Sequence, residues 1–171
     1  MTTTARGSMA IAEPSVVYPE AQFQSAVRSI VEDVLCGQQF TVLPKFGLDL
    51  AVFYGAGSST VRFFEIKSYC GQRMGGVGFG NQHGAGQQVD MLLCEEACLR
   101  QFDRFVRWAY ADATQPKGSS RYALFTCDLA RRAAMGGVSR GKHNNLKISA
   151  LRPNLVGWSE FTDLVRHFLE F

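Results

Sequence analysis

Two short segments of this chain bring together residue types that can hold a divalent metal ion. Asp49 lies in the apolar run FGLDLAVF, and Glu65 and Lys67 end the run VRFFEIK. Alternate residues of an extended strand lie on one face, so Glu65 and Lys67 project together while Ile66 points into the core. The spacing therefore predicts an acid and an ammonium group side by side at the end of a strand.

The relative position of the two runs follows from the loop between them. Residues 55–59, GAGSS, are typical of a β-hairpin connection. If Phe53 pairs with Val61 across this loop, Asp49 lies opposite Glu65. Directly opposed residues have Cβ atoms roughly 4.5–5.5 Å apart, and like charges at that distance repel. One lysine cannot neutralise both carboxylates, so a divalent metal with oxygen ligands is the expected counter-ion.

Length and composition predict an ordinary globular protein. The chain has 171 residues and a net charge of +3, which suits one domain and permits a nucleic-acid partner. We predict a disordered tail over residues 1–14 and a single α/β domain over residues 15–171. The five cysteines are odd in number and scattered, which indicates reduced thiols in an intracellular, cytoplasmic protein. No apolar run approaches the roughly 20 residues of a membrane span, so we expect no membrane partner.

Hydrophobic periodicity predicts the order of elements that position these residues. The predicted helices cover residues 20–35, 87–110 and 159–171. The predicted strands cover residues 39–43, 48–54, 60–67 and 122–127, with a further candidate at residues 146–151. Residues 68–86 and 136–145 are predicted loops. This is an αβββαβ core with a central mixed sheet flanked by helices, plus a C-terminal helix.

This order, with an acid ending the second strand and Glu-x-Lys ending the third, resembles the PD-(D/E)XK nuclease superfamily and its restriction-endonuclease-like fold. The resemblance implies that Asp49, Glu65 and Lys67 are the catalytic set. It also implies that the backbone carbonyl of Ile66 is a metal ligand beside the two carboxylates. Leu48 stands where the proline of the motif would be. The implied activity is Mg²⁺- or Mn²⁺-dependent hydrolysis of phosphodiester bonds.

Phosphodiester hydrolysis explains why these residue types are needed. Asp49 and Glu65 would hold Mg²⁺ or Mn²⁺, which supplies positive charge and acidifies the attacking water. Lys67 would orient or deprotonate that water, or stabilise the transition state as a point charge. The alternative is a plain cross-strand ion pair between Asp49 and Lys67 on a solvated sheet edge.

Two further polar residues fall on the apolar sides of their helices. Glu20 lies on the same side as Phe23 and Val27, and it resembles a glutamate that superfamily members place near the start of this helix. The alternative is an acid favoured by the helix dipole. Gln88 lies where an unpaired amide would be costly. Related nucleases often carry a glutamine there that holds the site or the DNA; the alternative is a satisfied helix-start side chain.

Basic residues downstream of the motif predict contact with nucleic acid. The glycine-rich loop 68–86 leaves the third strand directly and carries Arg73, while residues 129–159 contain six Lys or Arg and no Asp or Glu. Arg73, Arg140 and Lys142 are the candidate phosphate contacts, and six such contacts would make binding strongly salt-dependent. The alternatives are a mobile connector and an ordinary solvated basic loop.

We therefore predict a Mg²⁺- or Mn²⁺-dependent endonuclease that acts on DNA. Two other classes remain open at this point. A non-catalytic nucleic-acid-binding module of the same fold would keep the basic segment without binding a metal tightly. An assembly protein of that fold would use its sheet and C-terminal helix for subunit contacts. A homodimer is compatible with the nuclease prediction, because cutting both strands often takes two sites.

Overall fold

The computed structural model describes residues 11–45, 48–71, 75–79 and 86–171. Within these ranges the chain forms six α-helices and seven β-strands. The helices are α1 (Glu20–Val34), α2 (Gln87–Leu93), α3 (Glu96–Phe102), α4 (Cys127–Ala133), α5 (Ile148–Leu151) and α6 (Trp158–Glu170). The strands are β1 (Phe40–Pro44), β2 (Leu50–Tyr54), β3 (Thr60–Tyr69), β4 (Gly76–Phe79), β5 (Val106–Asp112), β6 (Tyr122–Phe125) and β7 (Asn144–Lys147).

Five of the strands form one mixed sheet. Its order is β1-β2-β3-β5-β6, in which β3 and β5 are parallel and the other neighbours are antiparallel. Strands β4 and β7 form a separate antiparallel pair. The predicted α/β class with a central mixed sheet is therefore confirmed, and β3, which carries Glu65 and Lys67, lies at the centre of the sheet.

The most local predictions are confirmed. Helices α1 and α6 and strands β1, β2, β3 and β6 occur at nearly the predicted bounds. In α1, the buried residues Phe23, Val27, Ile30 and Val31 recur at helical spacing, so one face packs on the sheet. This helical period explains why the pattern alone located α1.

The single helix predicted over residues 87–110 is instead two short helices followed by a strand. Helix α2 ends at Leu93, because the backbone of Cys94 is extended, and α3 begins after Glu95, which is also extended. Residues 106–112 then form β5, a strand whose two faces are both mostly buried. A strand buried on both faces carries an almost continuous apolar run, which has no period that separates it from a buried helix.

Three smaller predictions also need correction. The predicted loop 68–86 contains β4, and the predicted strand 146–151 is divided between β7 and the short helix α5. The strand predicted over residues 122–127 ends earlier, because Thr126 caps α4 by accepting a hydrogen bond from the Leu129 amide. Strands β4 and β7 are far apart in sequence and become strands by pairing with each other.

The sheet separates two hydrophobic clusters. Phe64 and Ile66 face the cluster that includes buried residues of α1 and α6. Trp108 and Tyr110 face the cluster that includes buried residues of α2, α3 and α4. Ile66 is fully buried, as predicted. The core therefore holds β3 from both faces and leaves its carboxyl end to the polar residues.

Part of the predicted disordered tail over residues 1–14 packs on the folded domain. Residues 1–10 lie outside the described residues, but Ile11 and Glu13 contact the folded domain. The Ile11 carbonyl accepts a hydrogen bond from Trp158 Nε1 at 2.7 Å. Glu13 pairs with Arg121 at 3.0 Å and accepts a hydrogen bond from the Tyr122 hydroxyl. Among the described residues, no helix is both long and apolar enough to cross a membrane.

Candidate active site

Strand alternation places Glu65 and Lys67 together at the carboxyl end of β3. Strands β2 and β3 pair in the predicted register, with Phe53 opposite Val61. Asp49 directly precedes β2 and therefore lies beside Glu65. Glu65 is fully buried and Lys67 is 7% exposed, so both charges lie in a largely dehydrated environment.

Asp49 is held by both its backbone and its side chain. Its carbonyl accepts hydrogen bonds from Gln24 Nε2 and from the Lys45 amide, each at 2.9 Å. Its Oδ2 atom accepts a hydrogen bond from the Ile66 amide at 2.7 Å. The carboxylate thus extends the contact between the two strands beyond their backbone ladder and is directed towards the residues after Glu65.

Four oxygen atoms surround the Lys67 ammonium group. Nζ lies 2.6 Å from Glu65 Oε1 and 3.6 Å from both Asp49 Oδ2 and Glu20 Oε1. It also donates a hydrogen bond to the Ile66 carbonyl at 2.8 Å. The structure therefore brings together the three predicted catalytic residues, the predicted carbonyl ligand and Glu20.

These contacts differ from the plain ion pair that was the alternative for Asp49 and Lys67. The carboxylate nearest to Nζ is that of Glu65, not that of Asp49. Lys67 is buried rather than on a solvated edge. Glu20, at the start of α1, is directed at the same group, so the cluster is built from a helix and two strands.

Negative charge is in excess at this cluster, because three carboxylates face one ammonium group. Burial raises the pKa of Glu65 to about 7 against the opposing attraction of Lys67, and the Asp49 charge adds to the rise. Burial also raises the pKa of Glu20. Burial alone would lower the pKa of Lys67, but the three acids outweigh it and the pKa is raised. The surplus must be balanced by protons or by a further cation.

Gln88, in the first turn of α2, holds the Glu65 carboxylate. Its Nε2 atom lies 3.1 Å from both Oε1 and Oε2 of Glu65. This contact satisfies the amide on the apolar side of the helix and fixes the orientation of the carboxylate. The predicted proximity of Gln88 to the motif is therefore present in the structure.

Substituting Gln88 by Leu is expected to destabilise the fold by about 1–3 kcal/mol, because a buried carboxylate loses a hydrogen-bond donor. It should also raise the pKa of Glu65, since this hydrogen bond favours the charged form. Urea unfolding at neutral pH measures the first effect. Gln87→Leu is the matched control, because Gln87 is exposed on the same helix turn. An equal loss of stability in Gln88→Leu and Gln87→Leu would contradict the assignment of Gln88 as the residue that holds the Glu65 carboxylate.

Two of the three predicted nucleic-acid contacts, Arg140 and Lys142, lie in the described part of the chain. Arg140 pairs with Asp90 of α2 at 2.7 Å, and both residues are exposed. Lys142 is exposed in the loop before β7. Arg73 lies outside the described residues. Contact of these residues with nucleic acid stays a prediction.

A cavity of about 340 Å³ adjoins the cluster, with Glu20, Ser68 and Gly76 among its lining residues. The buried Ser68 hydroxyl has no hydrogen-bond partner within the described part of the chain. Sequence reasoning overlooked Gln24 and Ser68. Gln24 follows Glu20 by four residues on one helix, so it lies on the same side and could have been found. Ser68 follows the motif but offered no comparable signal.

The donor types, rather than a finished coordination shell, fit a divalent metal. Among the described residues, no three His, Cys, Asp or Glu side chains are placed to coordinate one ion together. Mg²⁺ usually takes one or two carboxylates and fills its other positions with water and substrate oxygens. Asp49, Glu65 and the Ile66 carbonyl offer such donors around Nζ. Metal binding here requires Nζ to withdraw from Glu65 and Ile66.

Comparison with known proteins adds no assignment: no family model, no curated protein and no solved structure matches this chain. Membership of the PD-(D/E)XK superfamily therefore stays a prediction, carried by the motif and the element order. The functional conclusion depends on the geometry and the charge of the cluster.

Proposed function

We propose that this chain is a divalent-metal-dependent nuclease that hydrolyses phosphodiester bonds in DNA. The observation that carries the proposal is the set of four oxygens around Lys67 Nζ, from Glu20, Asp49, Glu65 and the Ile66 carbonyl. Three acids and one ammonium group leave negative charge that Mg²⁺ or Mn²⁺ would balance. Buried charges in proteins are generally paired or coordinate a metal ion.

The element order supports a restriction-endonuclease-like fold as part of this proposal. An αβββαβ order is present, although its last strand is β5 rather than the strand predicted at residues 122–127. Because β5 lies parallel to β3, the intervening helices α2 and α3 cross over the sheet and return Gln88 to Glu65. The motif residues thus lie at the centre of the sheet, where the core fixes their backbone.

Asp49 Oδ2, Glu65 and the Ile66 carbonyl would hold the metal ion. When bound, Mg²⁺ or Mn²⁺ supplies positive charge for the phosphate oxygens and favours ionisation of the attacking water. The protein supplies the geometry: Gln88 orients the Glu65 carboxylate, and Gln24 holds the Asp49 backbone.

Lys67 and Glu20 provide the remaining polar groups. Once Nζ leaves Glu65, its three donors can orient the attacking water or stabilise charge on a phosphate oxygen. Glu20 is 41% exposed and lines the adjoining cavity, so its Oε1 atom can accept a proton or a hydrogen bond from water that enters there. Both roles use side chains that already converge on one point.

The proposal is tested by incubating plasmid, linear and branched DNA with the protein and Mg²⁺ or Mn²⁺. We expect cleavage that is abolished by EDTA. Asp49→Asn should reduce the cleavage rate on the order of 10²-fold or more. Mutating even a residue that only hydrogen-bonds to a metal ligand commonly lowers metal affinity or activity by about 10–100-fold. Asp33→Asn, on the exposed side of α1, is the matched control and should cleave as the wild type does.

The same assay separates the other classes. Cleavage that survives Asp49→Asn and Lys67→Met would reject the assigned site. DNA binding without cleavage, unaffected by Mg²⁺, would favour the non-catalytic module of the same fold. Absence of both binding and cleavage would favour an assembly protein, and size-exclusion chromatography would then report whether the chain self-associates.

A further inference from the structure

A basic cavity lies at the end of the sheet opposite the acidic cluster. It has a volume of about 640 Å³ and is lined by Arg62, Arg104, Arg107 and His167 together with neighbouring apolar groups. Arg62 is near the start of β3, whereas Lys67 is near its end. At a rise of about 3.3 Å per residue, their backbones are roughly 17 Å apart. This cavity is therefore a separate site.

Arg62 of β3 and Arg107 of β5 contact the same aromatic ring. The guanidinium carbons of Arg62 and Arg107 lie 5.5 and 4.6 Å from the centre of the Phe168 ring, in α6. Such cation–π contacts stabilise a guanidinium but bring no negative charge. Both arginines are partly buried. Two positive charges thus share one ring at the wall of an open cavity.

Backbone carbonyls take up some of the N–H groups. Arg62 donates from Nε to the Phe168 carbonyl and from Nη1 to the Val61 carbonyl, each at 3.0 Å. Arg107 donates from Nη1 to the carbonyls of Asp103 and Val106. These contacts position the planar groups without neutralising them. In the described part of the chain, Nη2 of each arginine makes no hydrogen bond to protein.

Positive charge exceeds negative charge among the described side chains that line this cavity. Among the described residues, Arg62, Arg104 and Arg107 form no ion pair with a carboxylate, whereas Arg28, Arg100 and Arg121 do. Asp103 is the one acidic side chain among the described lining residues, and its Oδ1 atom accepts a hydrogen bond from the Cys127 amide at 2.6 Å. One carboxylate therefore faces three guanidinium groups. Burial lowers the pKa of Arg107, although the Asp103 charge opposes the shift. Partly buried cations in excess of their counter-ions are costly, and a bound anion would offset that cost.

We propose that this cavity binds a phosphate-type oxyanion through Arg62 and Arg107. The free Nη2 groups suit a tetrahedral oxyanion, because a guanidinium presents donors in a fixed fork. The exposed Arg104 and His167 add positive charge and donors at the rim. The volume is in the range of small-ligand sites, about 300–1,000 Å³. The ligand is either free phosphate or the terminal phosphate of a nucleic acid, and its binding does not depend on the nuclease proposal.

Thermal unfolding in sodium phosphate, compared with sodium chloride of equal ionic strength, tests the site. We expect phosphate to raise Tm of the wild type beyond the effect of chloride. Arg107→Gln should weaken phosphate binding about tenfold or more, because a charge-assisted hydrogen bond is lost. Arg28→Gln, whose arginine is exposed on α1 and paired with Glu32, should bind as the wild type does.

Two further variants keep the test decisive if Arg107→Gln does not fold. Arg107→Lys retains the charge but loses the fork and should still weaken binding, and Arg104→Gln alters an exposed residue with little structural risk. Binding of oligonucleotides with and without a 5′-phosphate distinguishes the two sources of the anion. Tighter binding of the phosphorylated oligonucleotide identifies the end of a nucleic acid as the ligand. Binding of inorganic phosphate without such a preference identifies free phosphate as the ligand. Equal Tm in phosphate and chloride, or phosphate binding that survives all three variants, would overturn the proposal.

Discussion

Replacing Lys67 by Met is expected to abolish metal-dependent DNA cleavage and to destabilise the metal-free fold. The substitution keeps most of the side-chain volume but leaves three carboxylates without the ammonium group that contacts them. Loss of a positioned proton-transfer or charge-stabilising group typically costs about 10²–10⁴-fold in rate. Removing one partner of a buried ion pair typically costs about 3–5 kcal/mol of stability.

Two measurements separate the catalytic role of Lys67 from its structural role. Cleavage is measured with Mg²⁺, and the free energy of unfolding is measured in urea with EDTA and with Mg²⁺. Without the ammonium group, the carboxylates depend more on the metal, so Mg²⁺ should stabilise Lys67→Met more than the wild type. Lys117→Met, at an exposed loop position, is the control. If Mg²⁺ stabilises Lys67→Met and the wild type equally, the carboxylates around Lys67 do not form a metal site.

Substituting Glu65 by Gln is the second change with a large expected effect. It removes the fully buried carboxylate that contacts Lys67 and Gln88 while preserving the shape of the side chain. A neutral amide is a much weaker ligand for a hard cation than a carboxylate. We therefore expect cleavage to be lost, and higher concentrations of Mg²⁺ or Mn²⁺ to restore little of it.

The same substitution should change how stability depends on pH. The pKa of Glu65 is about 7 in the fold against an ordinary value of 4.5, so the fold favours the protonated form. The stability from that preference is fully present below pH 4.5 and is lost as pH rises through 7. The difference corresponds to about 3 kcal/mol. In EDTA, Glu65→Gln should remove this decline.

Urea unfolding from pH 4.5 to 8, with wild type and Glu65→Gln side by side, isolates the effect, because all other titrating groups are common to both. Asp33→Asn, at an exposed position on α1, shows how much an ordinary surface acid contributes. Parallel curves of stability against pH for wild type and Glu65→Gln would show that burial does not raise the pKa of Glu65. Adding Mg²⁺ above pH 7 should reduce the decline of the wild type, since the metal favours the ionised carboxylate.

Sequence alone determined those parts of the site that depend on neighbouring residues. The alternation of strand side chains placed Glu65 and Lys67 on one side and Ile66 in the core, because the strand period is a property of the backbone. The loop length between β2 and β3 set their register and so the position of Asp49. Helical spacing likewise placed Glu20 towards the sheet. None of these inferences required a contact between distant segments.

The remaining features depend on contacts between distant segments of the chain. Residues 106–112 form a strand because they pair with β3 and are buried on both faces, and a run that is apolar on both sides has no diagnostic period. The contacts of Gln88 with Glu65 and of Glu20 with Lys67 join α2 and α1 to β3. Arg62 of β3 and Arg107 of β5 likewise contact Phe168 of α6. Such contacts depend on how whole elements pack, which local sequence periodicity does not encode.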